Sequence, residues 1–310
     1  MSHNQIPVRT YVILAAGLAM FAFAPLMVRG AGAEANPVAI TTIRTVSAFL
    51  LLLPFWLWVR IKAAWNREPV ARRVLTRAEV GWSALAGFFL SAHLMLWIGS
   101  LFFTSVASAS VLVTIHPIML IIVESVWLKK KFPIASWVGV VVAFSGSIVL
   151  GITDSGPNET FANPLLGNVM ALAAAFLFVF YILISQKIRK NSGWLDYVFS
   201  VYGFTALGSV LIAAALGVSW WVQPLPTVLS GLGLAIGASI MGHGSMNYAV
   251  KFISATLLST LILAEPVFAT ILAYFIFDEI PVVGSMIAMV IIMAGVFTTW
   301  WARRRKLEAE

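Results

Sequence analysis

Cysteine is absent from this sequence, and only 10% of its residues are charged. Without cysteine there is no disulfide framework and no thiolate chemistry. A soluble domain averages about a quarter charged residues and half apolar ones; here 61% are hydrophobic, too many for a surface that faces water. Period-two alternation bounded by turns is also missing, which argues against strands. The motifs of several enzyme classes are not found: no His-Glu-x-x-His zinc helix, no Gly-x-Ser-x-Gly elbow and no Gly-x-x-x-x-Gly-Lys-Ser/Thr nucleotide loop. The pattern therefore predicts no enzyme, no cofactor and no ATP hydrolysis. The membrane histidines lie on separate segments, so no metal site is expected either.

What is present is a series of apolar runs about 20 residues long, the length that crosses a bilayer as a helix. Ten spans are expected, over 10–29, 38–60, 80–103, 105–128, 133–152, 164–187, 195–217, 226–250, 254–277 and 281–303. Helices satisfy their own backbone hydrogen bonds, as lipid demands. The formal charge of +8 does not point to nucleic acid, because Lys and Arg cluster in short segments between spans. They follow spans two, four, six, eight and ten, while Glu34, Asp154, Glu159, Asp278 and Glu279 occupy the other connections. By the positive-inside rule both termini are cytoplasmic. The N-terminus carries no small-residue cleavage site and is read as a retained first helix. Eleven of the twelve Trp residues fall near a predicted interface, and Trp97 lies inside span three. Residues 61–79 read either as an amphipathic surface helix or as a solvated basic loop.

The chain repeats itself. A shift of 149 residues sets Pro266 on Pro117, Glu265 on His116, Ser254 on Ser105, Ser259 on Ser110 and Gly295 on Gly146. A shift of 150 sets Gly17 on Gly167, Gly87 on Gly237 and His93 on His243. Spans two and seven do not align by eye. Each half, 1–152 and 164–310, then holds five spans, with 153–163 as the outer linker. An odd number of spans per half means that the second enters the membrane inverted. Inverted repeats are a transporter architecture with a site near the midplane. The expected fold is therefore an all-α integral membrane protein of ten helices, two inverted five-helix repeats around a central cavity.

Gly242–Pro281, GHGSMNYAVKFISATLLSTLILAEPVFATILAYFIFDEIP, resembles the second half of EamA-type members of the drug/metabolite transporter superfamily. The stretch AHLMLWIGSLFFTSVASASVLVTIHPIMLIIVESVWLKKKFP is similar to the first-half counterpart, and Arg44 matches an Arg found in span two of many members. The resemblance implies ten helices around a cavity and transport of small organic solutes, often outward. It also favours a cavity position for Arg44. The chain departs from the family pattern at Lys130, where a Glu is usual, and at His116, a position more often uncharged.

Glu265 is the leading candidate for substrate or proton binding. An ionised acid at the midplane costs about 2.5 kcal/mol or much more unless it meets a partner, a cavity or a proton. Its alternative is a structural acid bonded to nearby backbone. His116 can donate, accept or titrate, or simply bridge helices. Arg44 either forks onto a carboxylate or snorkels to the headgroups. His93 with Trp97, and His243 with Asn247, sit four apart on shared helix faces; with Tyr248 they suit an organic solute or interhelical bonding. Pro25, Pro117 and Pro266 are expected to break helices. The residues together predict a secondary transporter or facilitator in a bacterial-type cytoplasmic membrane, exporting an amino acid or related amphipathic solute by alternating access. Arg44 would take the solute's carboxylate and Glu265 its amine. Small molecules, membrane lipids and protons are the expected partners, and the chain acts as a monomer or homodimer. A lipid flippase of the same architecture is the alternative.

Overall fold

The structure is a computed structural model that describes residues 8–66, 75–127, 129, 131–154, 161, 163–253, 258, 262 and 265–309. Ser254, Ser259, Ala264 and Lys130 lie outside them. The described residues form helices and no strands. In order these are α1 (Val8–Arg29), α2 (Pro37–Trp65), α3 (Arg77–Ser100), α4 (Val106–Val113), α5 (His116–Val126), α6 (Ile134–Asp154), α7 (Pro164–Arg189), α8 (Trp194–Ala215), α9 (Leu225–Leu234), a π-helical segment (Ala235–His243), α10 (Gly244–Ala249), α11 (Glu265–Phe277) and α12 (Val283–Ala309). Taking α4 with α5, and α9 to α10 as one span, eight are long and apolar enough to cross a membrane, and Ile134–Leu150 and Phe268–Phe277 are shorter apolar helices. That gives the ten expected from the sequence. The protein is an all-α, multi-pass membrane protein.

The helix ends follow from local chemistry. Asn36 caps α2, its Oδ1 accepting from Val38 N at 2.9 Å and Ala39 N at 3.2 Å, with Pro37 in the first turn where its missing N–H costs nothing. Span four breaks between Val113 and His116, because Pro117 cannot donate into the preceding turn. His116 Nδ1, 3.1 Å from the Val113 carbonyl, supplies the donor instead. Pro25 breaks nothing; α1 runs through it from Val8 to Arg29. Of the segment 61–79, α2 continues to Trp65 and α3 begins at Arg77, and residues 67–74 lie outside the described residues.

The helices group into two compact units that cut across the sequence halves. One is Met1–Met95 with Phe180–Ala255, the other Leu96–Val179 with Thr256–Glu310. In the first unit α2 packs along α8, and α1 along the π-helical segment and α10. Thr42 meets Ser209, the Phe49 ring lies against Gly203, and Trp56 stacks on Phe199. Numbers rise along one helix as they fall along the other, so α2 and α8 run antiparallel. They are the spans two and seven that sequence comparison could not align.

In the second unit α6 and α12 make the closest contact, and it is reciprocal. A Cβ added to Gly146 would sit 2.9 Å from Ile292 N and 3.0 Å from Ala288 O; one added to Gly295 would sit 2.5 Å from Ala143 N and 2.6 Å from Gly139 O. Shifting every residue by 149 turns the first pair of contacts into the second, atom for atom. Such exchange is the signature of an isologous, two-fold contact. Thr299 Oγ1 donates to Ser136 O at one end of this pair and Thr153 meets Ser285 at the other, so these helices also run antiparallel, as inversion requires. Around them packs an apolar core that includes Leu112, Ile115, Ile118, Val140 and Val296.

The contact predicts matched effects. Gly295→Ala and Gly146→Ala should each destabilise the protein by about 1–3 kcal/mol, the usual cost of overpacking, with Gly295→Ala the worse because it meets backbone at shorter range. Gly81→Ala in α3, with nothing within 4 Å, should be neutral or slightly stabilising. Thermal unfolding in detergent measures all three.

Candidate functional site

The first unit holds its buried polar groups around the π-helical segment. Glycines at 237, 242 and 244 weaken ordinary α-helical winding there and allow close approach: a Cβ on Gly242 would lie 2.6 Å from the Phe21 ring. A π turn disturbs the hydrogen-bond ladder, and such turns recur at functional sites. Side chains of α7 and α8 take up carbonyls in and beyond this segment. The Tyr202 hydroxyl donates to Ser239 O, Trp194 Nε1 donates to Gly244 O at 2.8 Å, and Arg189 Nε donates to Asn247 O at 2.7 Å.

Arg44 reaches the same segment from α2. It is only 1% exposed, and its Nε donates to Ser239 Oγ at 2.9 Å. It therefore lies in the bundle interior rather than snorkelling to the headgroups. Next to Ser239 on the same face is His243, ringed edge-on by Phe21 at 5.0 Å, Tyr181 at 5.9 Å and His93 at 6.2 Å. Asn247 Nδ2 donates to the Tyr181 hydroxyl at 2.6 Å, while its Oδ1 is buried without a partner among the described residues. Thr45, Leu94, Tyr202, Ser239 and His243 surround a cavity of about 10 Å³, room for one water-sized molecule. This is a cation set among phenols, imidazoles and aromatic rings, chemistry suited to the polar head of an organic solute.

The second unit holds the other candidates. With Nδ1 donating to Val113, a neutral His116 presents Nε2 as an acceptor; it is buried, beside the Phe178 ring at 4.9 Å, and has no partner among the described residues. Pro117 sits in the first turn of α5, and Glu265 and Pro266 open α11, all three buried. Trp97 is buried in α3. Glu279 Oε1 accepts from Val106 N at 2.6 Å, capping α4 from the end of α11.

The model of the EamA-like transporter family matches residues 9–152 and 165–301. The chain belongs to that family. It is a transporter by membership, and its family-matched stretches exclude only the termini and the 153–164 connection. Among its relatives it is 25% identical to the uncharacterized transporter YdfC of Bacillus subtilis, over 70% of each chain. It is 26% identical to solute carrier family 35 member G1 of Mus musculus, over 72% of this chain and 63% of that one. An S-adenosylmethionine uptake transporter of Rickettsia prowazekii is 21% identical over 90% of this chain and 88% of its own. One crystal structure, 18% identical, superposes with a TM-score of 0.64 over 96% of this chain and 99% of that one, which shows a shared fold.

Within this EamA-like member, the fold brings Arg44, His93, His243 and Asn247 into one cluster. Tyr248 is apart from it, half-buried against Phe252 and under Arg9. Glu265, His116 and Trp97 belong to the other unit. Sequence reasoning passed over Tyr202, Tyr181 and Arg189. Ser239 lies four residues from His243, a spacing that sets two side chains on one helix face.

Ser239→Ala strips a buried guanidinium of an acceptor, and should lower unfolding stability by about 1.5–3 kcal/mol. Calorimetry or a thermofluor melt of the purified variant reads this directly.

Proposed function

We propose that this EamA-like protein is a secondary transporter that exports a small organic solute, of amino-acid type, by alternating access. The observation that carries the reading is the buried Arg44, held on Ser239 of an irregular, glycine-rich helix and surrounded by aromatic and imidazole groups. Arg44 takes the solute's carboxylate, with its fork matched to two oxygens. Breaking the Arg44–Ser239 contact is the step that couples solute binding to movement of the π-helical segment. Glu265 supplies a second, proton- or amine-binding group. The repeats 1–152 and 164–310, joined by 153–163, rock about this midplane region. The reciprocal contact of α6 with α12 supports that pairing of repeats. Both termini face the cytoplasm of a bacterial-type inner membrane. Relatives named for S-adenosylmethionine uptake carry an amino-acid-derived solute, which favours this substrate class while pointing to the opposite direction of flow.

A lipid-moving role is the second reading. It is favoured by one observation, a cavity of about 390 Å³ bordered by α2, α8 and the start of α3.

Reconstitution in proteoliposomes with labelled amino acids and related metabolites separates these. We expect accumulation driven by an imposed pH gradient, lost in Glu265→Gln. Arg44→Lys, which keeps the charge but not the fork, should slow transport by at least about tenfold. Flux that ignores the gradient would make the protein a facilitator. Unchanged flux in Arg44→Lys would remove the cluster from the mechanism, and lipid scrambling without solute flux would favour the second reading.

A further inference from the structure

The larger cavity of the first unit shares no lining residue with the small one at the Arg44 cluster and has its own chemistry. Its walls are Phe49, Phe199, Phe204 and Trp56, with the Trp56 and Phe199 rings stacked at 4.4 Å. Its rim includes Val80 and Leu207, 37% and 46% exposed, on faces of α3 and α8 that carry further exposed apolar residues such as Phe88 and Leu211. In a protein whose helices span a bilayer, a slot with such a rim opens to lipid. From Phe49 to Arg60 along α2 is about 16 Å of helix, close to half of the roughly 30 Å hydrocarbon core. The slot is therefore about one leaflet deep.

At its polar end stands an ion pair with free valence on both sides. Arg60 Nη2 lies 2.6 Å from Asp196 Oδ1, which also accepts from Trp56 Nε1 at 3.0 Å. Arg60 Nε and Nη1, and Asp196 Oδ2, make no hydrogen bonds among the described residues, and both side chains are partly exposed. The guanidinium also rests over the Trp56 ring at 5.5 Å, which fixes its position. A fixed cation and a fixed anion side by side, above an apolar slot, match a headgroup that carries both charges.

We infer that this slot binds a phosphatidylethanolamine-type phospholipid of the leaflet on the Lys/Arg-rich side. Its phosphate accepts from the free Arg60 N–H groups, its ammonium donates to Asp196 Oδ2, and one acyl chain fills the aromatic slot. Phosphatidylglycerol has the phosphate but no cation to offer Asp196. Phosphatidylcholine has the cation but no N–H to donate. The site does not depend on which solute is transported, or on whether any is.

Native mass spectrometry of the full chain, equilibrated with each of the three lipids carrying identical acyl chains, tests this. The wild type should retain the ethanolamine lipid over the other two by roughly fivefold, the scale of one partly exposed charged contact. Asp196→Asn should erase that preference while leaving the slot. Gly203→Leu, which grows a side chain from the slot wall toward the Phe49 ring, should erase tight retention of all three. Headgroup-blind retention by the wild type overturns the inference, as does a preference that survives either substitution. The wild-type comparison needs no variant, so the test stands even where a substitution impairs folding.

Discussion

A carbonyl freed from its helical ladder inside a membrane must find a donor, because lipid offers none. Much of the first unit is arranged around that requirement. The π-helical segment exists where glycines make the ordinary α-helix least favourable, and α7 and α8 then supply Tyr202, Trp194 and Arg189 as donors. Those donors fix the segment's position, which in turn fixes Ser239 as the acceptor for Arg44. In the second unit the same constraint is met at Pro117, where His116 bonds the Val113 carbonyl. In each case a side chain supplies the donor for a backbone carbonyl at an irregular stretch of helix.

A regular helix in place of the π turn would carry the Ser239 carbonyl internally and compete with the Tyr202 phenol for it. The cluster is closed around its own side chains in this structure, with space for only a water-sized molecule. α1, α2, α9, α10 and the π-helical segment meet at glycines 17, 231 and 242. Small residues at these contacts allow close approach, and they leave few interlocking side chains to obstruct sliding.

The repeat gives each unit an internal logic. Three repeat-related couples of spans pack against each other: two with seven, four with nine, and five with ten. The last is reciprocal down to the individual atoms that crowd Gly146 and Gly295. The match is not complete everywhere. Glu279 caps α4 at one end of the couple of spans four and nine, whereas the position related to it by the repeat is Lys130, which can donate but not accept. The two halves share a fold without sharing every contact.

Composition and period alone determined that the chain lies in a membrane, that its elements are helices, and roughly where most of the described ones begin and end. Each follows from transfer of side chains and backbone out of water, which depends on local sequence. The repeat was legible for the same reason, since glycines and prolines mark positions where a helix must pack closely or break. The sequence also pointed to Arg44, His93, His243 and Asn247, because polar groups are costly in an apolar span. What it could not show was who meets whom. That Ser239 receives Arg44, that Arg189 holds the end of α10 rather than facing water, and that Pro25 leaves α1 intact were decided by tertiary structure. Partners in a helical bundle come from distant segments, and their choice depends on crossing geometry and on which carbonyls a neighbouring helix leaves free, neither of which is written in local spacing.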